Sequence, residues 1–138
     1  MSMQPRKRAR LERAVDPETS GAIRLGGGHR EKRRTIEAYR AGLHVDVEVR
    51  SAEGKSFHAH GLVLMAGSDY FAAAFSGGWA AVSGHHALGA VPADALEACL
   101  EWMYTGECVA ADDGALRALF DAAHYLQINS LLKALSGL

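Results

Sequence analysis

From His44 to Arg50 the chain alternates. Val45, Val47 and Val49 fall on one side and Asp46 and Glu48 on the other, the period-2 pattern of a strand with one buried face. Ala52-Glu53-Gly54-Lys55 supplies a turn, and Ser56 to Ala59 predicts a returning strand, so the two form a hairpin. Ahead of it, Arg30 to Ala41 favours helix, with Gly42 as its stop. Behind it, Leu62, Val63, Met65 and Ala66 predict a short helical turn. Ser68 or Asp69 can then cap a second helix from Tyr70 to about Phe75.

Ser76 to Ala90, with four glycines, reads as a loop leading into a short strand near Ala87 and Leu88. Pro92 opens a helix whose buried stripe is Leu96, Cys99, Leu100, Met103 and Tyr104, closed by Thr105-Gly106-Glu107. Asp112 or Asp113 starts another, with Leu116, Leu119, Phe120 and Ala123 inward, and Leu131, Leu132 and Leu135 mark a last short helix. No internal repeat is apparent, which argues against a solenoid or propeller. The expectation is one α+β domain over residues 29–138.

Composition changes the picture mainly at the N-terminus. The net charge is −1, yet residues 1 to 40 hold eleven Lys and Arg against five Asp and Glu, while residues 41 to 138 hold four against eleven. Residues 1–28 are poor in apolar groups and include Gly26-Gly27-Gly28, so they read as a disordered basic arm. Within it, Ala22 to Leu25 would form a strand if a partner offered a sheet edge. Arg6, Lys7, Arg8 and Arg10 form a candidate nuclear import signal. Nucleic-acid contact is disfavoured because no aromatic residues interleave with these charges. No apolar run approaches the roughly 20 residues of a membrane span, so a soluble protein of nucleus or cytoplasm is expected. The two cysteines, Cys99 and Cys108, suit a reducing compartment as free thiols.

Candidate chemistry is sparse. His58 and His60 share a strand face, but no CxxC or HxxxH frame accompanies them, so neither metal nor cofactor is expected. No nucleophile elbow surrounds Ser68, whose better role is a helix cap, and no catalytic residue is assigned.

Several fragments together point to a family. Asp46-Val47, Phe57-x-Ala59-His60, Val63-Leu64-x-Ala66-x-Ser68-x-Tyr70-Phe71 with Phe75, Tyr104-Thr105-Gly106 and Ala122-Ala123-x-Tyr125-Leu126-Gln127-Ile128 occur in the order and spacing of the BTB/POZ domain. The chain resembles that family from about Arg34 to its last residue, and is similar to the BTB portion of Kelch-like proteins. The resemblance implies a small mixed sheet covered by short helices and an interaction module rather than an enzyme. It also implies a homodimer, or heterodimers with other BTB chains, through Ile36, Tyr39, Leu43 and Asp46. It further implies a cullin-side partner surface including Phe75, Trp79 and Tyr104, as in ubiquitin ligase adaptors. The rival reading is a nuclear, transcription-associated or nucleic-acid-associated scaffold whose basic arm makes the contacts. Two positions depart from the pattern: Gly61 stands where a basic residue usually joins the strand aspartate in the dimer groove, and Ala81 stands where cullin-binding members carry Glu. The resemblance ends with the chain, so a bare module is expected.

Overall fold

The computed structural model describes residues 11–13, 22–26, 33–77 and 84–137. In chain order the elements are β1 (Leu11–Arg13), β2 (Ile23–Gly26), α1 (Arg33–Ala41), β3 (Val47–Arg50), β4 (Ser56–Ala59), α2 (Gly61–Gly67), α3 (Asp69–Ala74), β5 (Gly84–Ala87), α4 (Ala93–Thr105), β6 (Glu107–Ala110), α5 (Asp113–Leu126) and α6 (Asn129–Ser136). The fold is α+β, as the pattern predicts.

The expected hairpin forms the centre of one sheet, ordered β4-β3-β5, in which β3 pairs antiparallel with β4 and parallel with β5. Val47, Val49, Phe57 and Ala59 turn inward and are buried, while Glu48 and His58 lie opposite each other on the outer face. Strand β3 begins at Val47 rather than His44. His44 adopts φ +60, a left-handed turn conformation that an extended strand cannot contain. Glu48 is the polar anchor of the outer face. It accepts hydrogen bonds from the Ser56 hydroxyl and, at 3.0 Å, from Arg50, and it meets His85 on β5. These donors, Ser56 first and Arg50 next, hold the Glu48 carboxyl down to about 2.

The second sheet, β1-β2-β6, departs from the sequence reading in three ways. Part of the arm expected to be disordered is ordered, because Leu11–Arg13 pairs with β2. The edge that β2 requires comes from this chain's own β6, not from a partner. Strand β6 itself was not anticipated, since Glu107–Ala110 places only the small Cys108 and Ala110 inward. Pairing buries Ile23 and Leu25 in the main core and leaves Arg24 outside, opposite Val109 and near Glu107.

Close backbone approach sets the end of this ladder. Gly26 has φ +74, and a Cβ there would stand 1.7 Å from the Gly106 carbonyl oxygen and 2.8 Å from the Trp102 ring. Gly106, at φ +78, is the left-handed cap that ends α4 and turns the chain directly into β6. Both positions therefore need glycine for the helix and the N-terminal strand to meet.

The helices follow their capping chemistry. Buried Ser68 accepts the Phe71 N–H at 3.2 Å and donates to the Leu126 carbonyl at 2.6 Å, so the cap of α3 also ties it to the end of α5. Asp112 caps α5 by accepting from Ala115 N–H at 2.8 Å. Leu96, Cys99, Leu100 and Met103 of α4 pack with Leu119, Ala123, Leu126, Ile128 and Leu131 in a single core. Phe120 corrects the expected α5 stripe: it is 45% exposed, because Leu119, Ala122 and Ala123 already occupy the inward arc. Both thiols are buried, and burial pushes the Cys108 thiol up to about 12.

Two outcomes follow from these packings. Gly26→Ala should destabilise the protein by about 2 kcal/mol or more, since it adds a clash to a left-handed backbone, and urea unfolding with an unchanged midpoint would refute the close contact. For Glu48, the folded carboxyl lies below its ordinary 4.5, so its contribution is complete above that value and is lost as pH falls toward about 2. Glu48→Gln should therefore flatten the acid limb of a stability–pH curve while leaving its alkaline limb in place.

Candidate interaction surface

Helix α1 is held to the domain by a polar node. Tyr39 stacks on Tyr104 of α4, with ring centroids 4.5 Å apart. The Tyr104 hydroxyl accepts the His60 backbone N–H at 2.9 Å and lies 2.5 Å from His60 Nδ1. The other ring nitrogen, Nε2, is 2.7 Å from the Leu43 carbonyl oxygen. A carbonyl can only accept, so Nε2 carries the proton, and Nδ1 accepts the tyrosine hydroxyl in the neutral ring. One histidine thus joins the end of α1, the β4–α2 junction and α4. Burial pushes the Tyr104 phenol up to about 12, so it stays protonated as this donor.

Asp46 completes the junction. Its carboxylate accepts Gly61 N–H at 2.7 Å, capping α2 from the position just before β3. The aspartate reaches a backbone donor rather than the imidazole, and Gly61 brings no side chain to intervene. Ile36 is buried within its own chain, where it anchors α1, whereas Tyr39 is half-buried and Leu43 is 55% exposed. Leu62, two residues beyond the node, is 76% exposed, and Met65 one turn later is also exposed. Neither was singled out by sequence reasoning, because their helical turn is too short to show which side faces out.

Of the predicted cullin-side residues, the two that are described do not reach the surface. Phe75 and Tyr104 are core residues, Phe75 stacking with Phe71 and Tyr104 serving the node, so they support the surface from beneath. Trp79 and Ala81 lie outside the described residues, as do Arg6, Lys7, Arg8 and Arg10. An aromatic surface does occur nearby. Tyr125 is 42% exposed, its ring 5.3 Å from that of Tyr70, and Phe120 stacks with His124 on the same helix. Among the described residues no group of three His, Cys, Asp or Glu side chains is gathered as for a metal ion, and no helix is long and apolar enough to cross a membrane.

Comparison with known proteins decides the family. The BTB/POZ domain model matches residues 36–137. The chain belongs to the BTB/POZ domain family. Kelch-like protein 21 of Rattus norvegicus is 36% identical over 91 residues, 65% of this chain and 15% of that protein, and the Homo sapiens protein gives the same figures. The inhibitor of Bruton tyrosine kinase of Xenopus laevis is 29% identical over 97 residues, 70% of this chain and 7% of that protein. The matched region thus spans a small part of each relative's length. The BTB domain of zebrafish PATZ1 shares the fold at a TM-score of 0.68 and 24% identity, covering 79% of this chain and 87% of that one. The BTB/POZ domain is a protein-interaction module, and the geometry agrees, offering exposed apolar and aromatic side chains on a braced scaffold.

The node yields a direct test. Tyr104→Phe removes the hydroxyl while keeping the ring stack, leaving the His60 N–H and Nδ1 without their partner. A loss of about 1–3 kcal/mol is expected in urea unfolding. No loss would show that the hydroxyl does not brace α1.

Proposed function

We propose that this BTB/POZ chain forms a homodimer, and heterodimers with other chains of its family, through the end of α1 and the exposed side of α2. The observation that carries the reading is the exposure of Leu43 and Leu62 on either side of the His60 node, in a domain otherwise well supplied with core. Apolar side chains fixed on braced backbone lose little entropy on association, and burying each leucine is worth about 1.5–3 kcal/mol. Asp46 lies at the same junction, where Gly61 leaves its charge without a basic side-chain neighbour in sequence. Tyr39 contributes the exposed margin of its ring, and Ile36 fixes the helix from inside.

A second reading concerns a separate face. Adaptor activity toward a cullin scaffold is supported by the Kelch-like relatives together with the exposed Phe120, Tyr125 and adjoining Tyr70. Aromatic side chains of this kind commonly anchor partners. In this reading the surface is carried by α3 and α5, with Phe75 as its support and Trp79 as an added anchor.

Sedimentation equilibrium at tens of micromolar protein should show a dimer that Leu43→Glu and Leu62→Glu each convert to a monomer; a wild-type monomer would sink the dimer reading. A pull-down with a purified cullin N-terminal domain should be lost in Tyr125→Ala, and failure of the unaltered chain to bind would sink the adaptor reading.

A further inference from the structure

A different face bears an open strand edge beside a helix end. Hydrogen-bond parity in the β4-β3-β5 sheet shows which way each backbone group points. Ser51 N–H donates to the Lys55 carbonyl on the β4 side at 2.9 Å, whereas the Arg50 carbonyl accepts Leu88 N–H on the β5 side at 2.8 Å. Odd-numbered residues of β3 therefore face β4 and even-numbered ones face β5. In the matching register, with Val49 opposite Phe57 and Glu48 opposite His58, Phe57 and Ala59 of β4 pair with β3. The N–H and C=O groups of Ser56 and His58 point away from the sheet, and among the described residues no hydrogen bond takes them up.

These residues line a groove of about 530 Å³, whose walls are Ser56, Phe57 and His58 on one side and Tyr39, Arg40, Ala41, Gly42 and Val45 on the other. Among the described residues that line it, the ionisable groups apart from Tyr39 are Arg40 and His58. Arg40 is mostly exposed and forms a long ion pair with Glu101 at 3.9 Å. Glu48, directly across from His58 on the same outer face, is already engaged by Ser56, Arg50 and His85.

We propose that this groove binds an extended acidic segment of a partner protein as an added strand on β4. The partner's backbone meets Ser56 and His58, and alternate side chains fall on opposite sides of the new strand. Apolar ones lie toward Phe57, Ala41 and Val45, and acidic ones pair with His58 and Arg40. The proposal rests on the interaction-module reading and shares Tyr39 and the end of α1 with the proposed dimer face. Its strand edge at Ser56 and His58 is separate from Leu43 and Leu62, so a chain that dimerises without capturing peptide, or the reverse, tells the two readings apart.

The test uses the full chain and a short fluorescein-labelled peptide of alternating valine and glutamate, with a valine–lysine peptide as control, read by fluorescence anisotropy. The glutamate peptide should bind saturably and the lysine peptide should not. Arg40→Glu should weaken binding about tenfold. His58→Pro should abolish it with the thermal transition unchanged, because the N–H it removes is outside the ladder. Amide exchange at Ser56 and His58 should slow when peptide is bound. Leu43→Glu protein, whatever its oligomeric state, should bind as the unaltered chain does. Absence of saturable binding, equal binding of the lysine peptide, or full binding by Arg40→Glu would overturn the proposal. So would a His58→Pro chain that dissociates to monomer, which would assign the edge to a second copy.

Discussion

The hydroxyl of Tyr104 sits where three otherwise separate parts of the chain converge. It receives the backbone of His60, shares a hydrogen bond with that residue's ring, and lies under the stacked ring of Tyr39. Through His60 Nε2 the same contact reaches the Leu43 carbonyl. Helix α1 is short and strongly polar, and among its described side chains only Ile36 is buried. A helix of nine residues has little stability of its own in water. Its placement therefore depends on this junction, and so do both surfaces built around it: the exposed leucines on one side and the groove beside β4 on the other.

A second constraint governs the other sheet. Strand β2 has four residues and carries two buried side chains, so its affinity for β6 comes from correct register as much as from area. The Gly26–Gly106 approach limits that register, because a slip that put Leu25 at the contact would bring a side chain against the backbone that ends α4. Local conformation, helix termination and strand pairing thus meet at one pair of glycines.

The parts legible in the sequence were those whose pattern reports burial directly. The β3–β4 hairpin, the α4 stripe, the Ser68 cap and the Asp112 cap all follow from periodicity and local hydrogen bonding. What escaped was set by distant partners. Strand β6 is invisible without β2, and β1 lies in a segment whose composition argues for disorder. Phe120 looked buried because its spacing fits the stripe, yet smaller residues beside it fill the interior. Family motifs were read more accurately as fold than as surface. Phe75 and Tyr104 are buried and hold the helices together, while exposed Leu62 and Tyr125 occupy motif-bearing helices without announcing which way they face.

The two buried thiols sit at different depths in the hierarchy of the fold. Cys99 belongs to the inner face of α4, while Cys108 lies in β6 directly across from Leu25 of the N-terminal strand. An alkylating reagent can capture only the thiolate, so each cysteine is silent until its own surroundings open. Detachment of β2 alone removes the cross-strand neighbour of Cys108, whereas Cys99 waits for the helical core to part. The relative alkylation rates of the two thiols therefore tell whether β2 leaves before the domain opens or only with it.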